Sequence, residues 1–136
     1  MKRYRLIEHT ADIGLIAYGN NLAEAFGNAA YGMFSIIAGL RAVREVESRQ
    51  VKLEAKDMEA LLFDWLNSLL YFFDTDTLLL KRFDISELTE NRLQATCYGE
   101  RYNPSRHRLK IGVKSATYHM LKIDREKNHV RLIFDI

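Results

Sequence analysis

The chain has 136 residues, a formal net charge of +2, 48% apolar and 28% charged residues. That composition fits one globular domain spanning 1–136 and excludes global disorder, and a single proline with seven glycines excludes collagen-like repeats and long flexible linkers. The one cysteine, Cys97, cannot form an intrachain disulfide, which suits a reducing, cytoplasmic setting.

No apolar run approaches the ~18–20 residues of a membrane helix, so no membrane association is expected. The charged start, Met1 to His9, lacks a following apolar core, so no secretory leader is expected either. A first strand is expected around residues 3–8. A second carries Ile13, Leu15 and Ala17 on one face. Leu22, Ala25, Phe26, Ala29, Met33, Ile36 and Ile37 follow helical spacing, with Asn20 or Asn21 as N-cap and Gly39 placed to end the helix in the left-handed region. Gly27 and Gly32 lower helix propensity there but permit close packing. Val51, Leu53 and Ala55 alternate as a strand.

Asp57 then caps a second helix running to about Phe73, with Met58, Leu61, Leu62, Trp65, Leu66, Leu69 and Phe73 as its apolar stripe. Leu93, Ala95 and Cys97 alternate as a strand, as do Leu109, Ile111 and Val113. Segment 117–123, the polar turn 124–128 and Val130, Leu132 and Phe134 read as an antiparallel hairpin. This order lacks strict βα alternation. The predicted fold is α+β, a mainly antiparallel or mixed β-sheet covered by two helices.

Charge is unevenly distributed. Residues 53–90 hold nine acids and three bases, whereas residues 101–136 hold nine bases and three acids. The two stretches either pair in the fold or face different partners, and a basic stretch of that density steers phosphate or acidic protein surfaces.

Phosphate-binding GxxxxGK[ST] and GxGxxG loops, HExxH and CxxC metal motifs and the GxSxG elbow are all missing. Chemistry can therefore sit in three places. His9-Thr10-Ala11-Asp12 is a polar cluster before an apolar strand, open to reading as a site or as a turn with side chains bonded to backbone. The last residues, Leu132 to Ile136, read as an apolar strand, either one that simply ends in solvent or one packed so that the Asp135 carboxylate lies beside the terminal carboxylate of Ile136. Such a pair calls for a neighbouring cation, with Lys114 and a hard ion such as Mg²⁺ or Ca²⁺ as candidates. Lys114 and His119, in the segment between, are open to bland readings as an exposed strand lysine and a core histidine.

These segments together resemble the archease family. The resemblance runs through His9-Thr10-Ala11-Asp12-Ile13-Gly14, the helix Glu59 to Asn67, Gly99-Glu100, Val113-Lys114-Ser115-Ala116-Thr117-Tyr118-His119 and the closing Phe134-Asp135-Ile136, in order over essentially the whole chain. Segment 40–50 and loop 101–108 carry no family signal, and Asn103 stands where relatives are expected to have an acid, so the loop is assigned no role. The resemblance implies a non-catalytic protein cofactor of an RtcB-type RNA ligase. It would act in tRNA splicing, tRNA processing and RNA repair by promoting ligase guanylylation and repeated turnover, meeting RNA only indirectly. It also implies a divalent metal, calcium or magnesium, held by Asp12, Asp135 and the Ile136 carboxylate, with Lys114 as the activating lysine and His9 and His119 as further candidates. Two other classes stay open: an independent metal-dependent phosphoester hydrolase with His9 or His119 as base, and a basic RNA-binding or chaperone-like module built on 101–131.

Overall fold

The computed structural model describes residues 2–8 and 10–136. Its elements are β1 (Tyr4–Glu8), β2 (Asp12–Tyr18), α1 (Leu22–Ile37), β3 (Glu47–Glu54), α2 (Met58–Asp76), β4 (Leu78–Leu88), β5 (Arg92–Arg101), β6 (Ser115–Asp124) and β7 (His129–Asp135). The α+β class is as expected, and every strand pair is antiparallel. The strands divide into two sheets, ordered β1-β2-β7-β6 and β3-β5-β4.

The helices lie between the sheets. Helix α1 packs on β2 and β7 of one sheet and on β4 of the other, and α2 likewise reaches β6, β3 and β4. A helix with apolar or small residues all round is one that must be buried. In α1 the buried set runs almost unbroken from Ala25 to Ile37, with Tyr31 and Ser35 half-buried. Gly32 is required by this arrangement, because a Cβ there would collide with Leu15 of β2 and crowd the Tyr4 ring of β1. Trp65 of α2 is fully buried, and its indole N–H donates to the Phe26 carbonyl at 3.0 Å, tying the two helices together.

Three sequence expectations change. Helix α1 is capped by Asn21, whose side chain accepts from the Glu24 N–H, but Gly39 does not close it in the left-handed region, and no glycine has a positive φ. The free carbonyls of the last turn are instead met by segment 108–111. The N–H groups of Lys110 and Ile111 donate to Ile37 and Ile36, Gly39 N–H donates to the Arg108 carbonyl, and the Lys110 ammonium reaches the Ser35 carbonyl at 2.8 Å. That duty explains why Leu109, Ile111 and Val113 alternate without forming a strand: only Val113 is buried, and one bridge, Leu109 to Ala38, is made. Finally, α2 runs past the expected end at Phe73 to Asp76, and β4, where no strand was expected, follows it directly, separated only by Thr77 at φ 52°.

Loop 101–108, assigned no role from sequence, encloses a buried ionic cluster at the end of β5. Glu100 accepts from Arg106 at 2.8 and 3.0 Å and from the Arg44 side chain and backbone N–H at 3.3 and 3.2 Å. His107, also buried, lies 2.6 Å from Glu100 through Nε2. Its Nδ1 accepts from the Asn103 N–H at 2.9 Å, which leaves Nε2 as the donor to Glu100. The Arg106 guanidinium, with further donors from Arg44 and His107, holds the Glu100 carboxyl well below the usual range against the opposing effect of burial.

A carboxylate stabilised in the folded state supports the fold above its unfolded pKa, about 4.3, and loses that support as pH falls toward its lowered folded value. Glu100→Gln is expected to cost about 2 kcal/mol near neutral pH. The gap should narrow on acidification to about pH 3, because only the unaltered chain has this carboxylate, and its unfolded state then binds a proton there. Denaturant unfolding at the two pH values measures it, and a gap that does not narrow would remove Glu100 as the source.

Candidate functional site

The register of β2 against β7 sets Asp12 directly opposite Asp135, and the register of β7 against β6 sets Ser115 opposite Asp135 on its other side. Directly opposed residues share a sheet face, with Cβ atoms about 4.5–5.5 Å apart. Because side chains alternate, the inward face of these strands takes Ile13, Leu15, Leu132 and Phe134, all buried. Asp12, Asp135 and Ser115 therefore form a row on the face turned away from the helices.

Asp135 is exposed and Asp12 half-buried, but one Asp12 oxygen, Oδ1, is buried with no hydrogen-bond partner among the described residues. The turn reading would have the Thr10 and Asp12 side chains accept from backbone amides; among the described residues Asp12 Oδ1 accepts from none. Among the described residues neither aspartate forms an ion pair, nor does the Ile136 carboxylate. Ile136 follows Asp135 immediately, and its side chain packs against the core.

Lys114 enters through its backbone. Its N–H donates to the Asp135 carbonyl at 2.8 Å, extending the β6–β7 ladder by one residue, while its side chain is exposed. The two aspartates and Lys114 thus meet at one end of the four-stranded sheet. His119 does not join them as a core histidine: it is exposed, on a bulge further along β6. His9 lies outside the described residues. No group of three or more His, Cys, Asp or Glu side chains able to hold a metal occurs among the described residues. The available donor set is two carboxylates, with the main-chain carboxylate at Ile136 as the third. It is all oxygen, a donor chemistry that fits a hard cation.

Asn67 was legible only as part of a helix motif. Its side-chain amide brackets Ala116, accepting from that residue's N–H at 2.9 Å and donating to its carbonyl at 3.2 Å. It occupies the free edge of β6 as a strand would and fixes α2 beside the start of that strand. Cys97 is buried in β5, and burial pushes its thiol up to about 12, which removes it as a nucleophile. The charge halves pair only in part: Arg125 meets Glu90 at 2.7 Å, while Arg101 and Arg106 take Glu47 and Glu100, outside the acidic stretch.

A family model described as "Archease protein family (MTH1598/TM1083)" matches residues 4–136. Protein archease of Sulfurisphaera tokodaii is 38% identical over 135 residues, covering 98% of this chain and 97% of that one. Protein archease of Pyrococcus abyssi is 41% identical over 128 residues, covering 92% and 90%. Among solved structures, the solution structure of Methanobacterium thermoautotrophicum protein 1598 superposes over 100% of both chains with a TM-score of 0.81 and 34% identity. A Thermotoga maritima protein described as an archease and possible chaperone shares the fold alone, with a TM-score of 0.61, 23% identity and coverage of 96% and 94%. Matched from end to end by that family model and by relatives of this similarity, the chain belongs to the archease family.

Proposed function

We propose that this chain is a non-catalytic protein cofactor of an RtcB-type RNA ligase, promoting guanylylation of the ligase and its repeated turnover in tRNA splicing and RNA repair. Family membership supports the class of function. The observation that carries the site is the Asp12–Asp135 cross-strand pair with its unpartnered, buried Asp12 oxygen. Like charges directly opposed across a pair of strands destabilise a sheet unless something neutralises them. In this reading Asp12, Asp135 and the Ile136 carboxylate hold a divalent cation, calcium or magnesium. When bound, the ion supplies positive charge that phosphate oxygens of a nucleoside triphosphate can meet.

The chain's own residues then position and stabilise. Asp12 and Asp135 orient charge and act as neither nucleophile nor base. Lys114, tethered to Asp135 through its backbone and exposed in its side chain, offers an ammonium to the phosphates as negative charge develops on the leaving group. The chain alone has no turnover, and RNA is met through the ligase.

Three outcomes test this reading. In a guanylylation assay of the cognate ligase, addition of the chain should raise the rate, and Lys114→Ala should abolish the stimulation while shifting unfolding by less than about 0.5 kcal/mol, as expected for an exposed side chain. Normal stimulation by that variant would make Lys114 a plain surface lysine. Asp12→Asn and Asp135→Asn should each weaken Ca²⁺ binding in calorimetry by at least about tenfold. Extending the chain beyond Ile136 converts its carboxylate to an amide and should lower affinity more for Mg²⁺, whose geometry is stricter, than for Ca²⁺. Unchanged affinity in the extended form would leave only side chains as ligands.

A further inference from the structure

Strand β6 carries a feature that neither the core nor the carboxylate row uses. Its pairing with β7 runs from Ser115 to Thr117, breaks, and resumes at Lys122, while the partner advances only from Ile133 to Arg131. Residues 118–121 therefore stand opposite Leu132 alone, a bulge several residues larger than the usual single insertion. Tyr118, His119 and Met120 are all exposed, Tyr118 and Met120 by 53% and 52%.

Met120 has φ 56°. The other non-glycine residues in this region are Thr77 at a helix end and Asn128 in a turn, both ordinary places for it. Met120 is an unbranched apolar residue held there inside a strand, with its carbonyl accepting from Arg131 Nε at 3.2 Å. A left-handed backbone at such a residue is sparsely populated and, where kept, is a pointer to function. Tyr118 is held as well: its ring stacks on Phe63 of α2 with centroids 4.2 Å apart and planes 10° from parallel. The edge of β6 is already blocked by Asn67, so guarding that edge does not account for the exposed apolar tip.

We propose that the bulge, with Tyr118 and Met120 at its tip, is the anchor by which this chain grips its ligase, fitting an apolar pocket on that protein with basic residues on the rim facing α2. This inference rests on the function proposed above. Several observations favour a protein over other occupants. A rigid, partly exposed tyrosine beside a flexible thioether is the composition of interface anchors, which concentrate in a few side chains. The bulge lies on the strand that starts at Ser115, opposite Asp135, so a partner seated on it is close to the carboxylate row. The Tyr118 hydroxyl is raised above its ordinary pKa by partial burial and by Asp64 and Asp57, which places acids on the α2 side of the tip. Those acids repel RNA phosphate, and Phe63 already covers one face of the Tyr118 ring. They also disfavour a second copy of this chain, since a two-fold contact brings the same acids together.

The test uses the full chain with Tyr118→Ala, Met120→Ser and Met120→Gly. The glycine variant removes the side chain while relieving the positive φ, so its fold should be retained, which circular dichroism checks. Titration of the chain against the ligase is expected to show the Kd and the half-maximal stimulating concentration rising at least about tenfold for Tyr118→Ala and Met120→Gly. Maximal stimulation should recover at saturation, and Ca²⁺ affinity should stay unchanged. Asp135→Asn is expected to show the converse, wild-type ligase affinity with lost stimulation. Half-maximal concentrations within twofold of wild type overturn the anchor while leaving the proposed function standing. Two further results overturn it as well: variants that keep ligase affinity but lose affinity for an RNA hairpin, or that only convert a dimer to a monomer in light scattering. Failure of the unaltered chain to bind or stimulate the ligase overturns both readings together.

Discussion

The burial of α1 on both sides is the constraint from which the rest of the molecule follows. Its sixteen residues include buried side chains around most of the circumference, so a single covering sheet would leave one side in water. The chain resolves this with two sheets that meet the helix from opposite sides, Gly32 admitting β1 and β2 closely and Gly27 facing Phe83 of β4. Each sheet then needs only one apolar face. The outer faces are free to be polar, and the Asp12–Asp135–Ser115 row occupies one of them.

A helix buried to its last turn also has carbonyls that water cannot reach, and an unsatisfied buried carbonyl costs about 1–3 kcal/mol. The path of the chain after β5 answers that need. Glu100, Arg106 and His107 turn the loop back over Arg44, and the segment that leaves it lays its N–H groups on Ile36 and Ile37. Lys114 reaches the end of β7 because this segment has been led there. The ionic cluster is therefore structural in its chemistry, yet it fixes the approach of the chain to the candidate site.

Sequence patterning made α1, α2 and six of the seven strands legible because their apolar residues recur at helical or alternating spacing. It failed where spacing and structure part. Strand β4 opens on Leu78, Leu79 and Leu80, all buried, only one residue past the end of α2 at Asp76, and no glycine or proline marks the change. A threonine in the left-handed region ends the helix, which propensity does not announce. Segment 108–113 alternates as a strand does, but its alternation serves hydrogen bonds to a helix end and leaves Leu109 and Ile111 exposed. In the candidate site, Asp12, Lys114 and Asp135 stood out as polar residues beside apolar strands. Their meeting at one end of one sheet depends on register, which a single sequence does not carry. The resemblance to archeases supplied the association that patterning lacked.

The chain treats its carboxylates in two ways, and the difference bears on function. Glu100 is buried, and three cationic or donor side chains close around it, two of them arginines drawn from separate loops. Arg125 and Arg101 are likewise committed to Glu90 and Glu47. At the end of β2 and β7, by contrast, two aspartates face each other across a strand pair with a lysine one residue away, and among the described residues no side-chain ion pair forms there. A sequence shaped for stability alone would place opposite charges there, as it has done elsewhere in the same fold. Under the proposed function, a cation held between Asp12 and Asp135 would relieve this local conflict and meet the Asp12 oxygen that has no partner among the described residues.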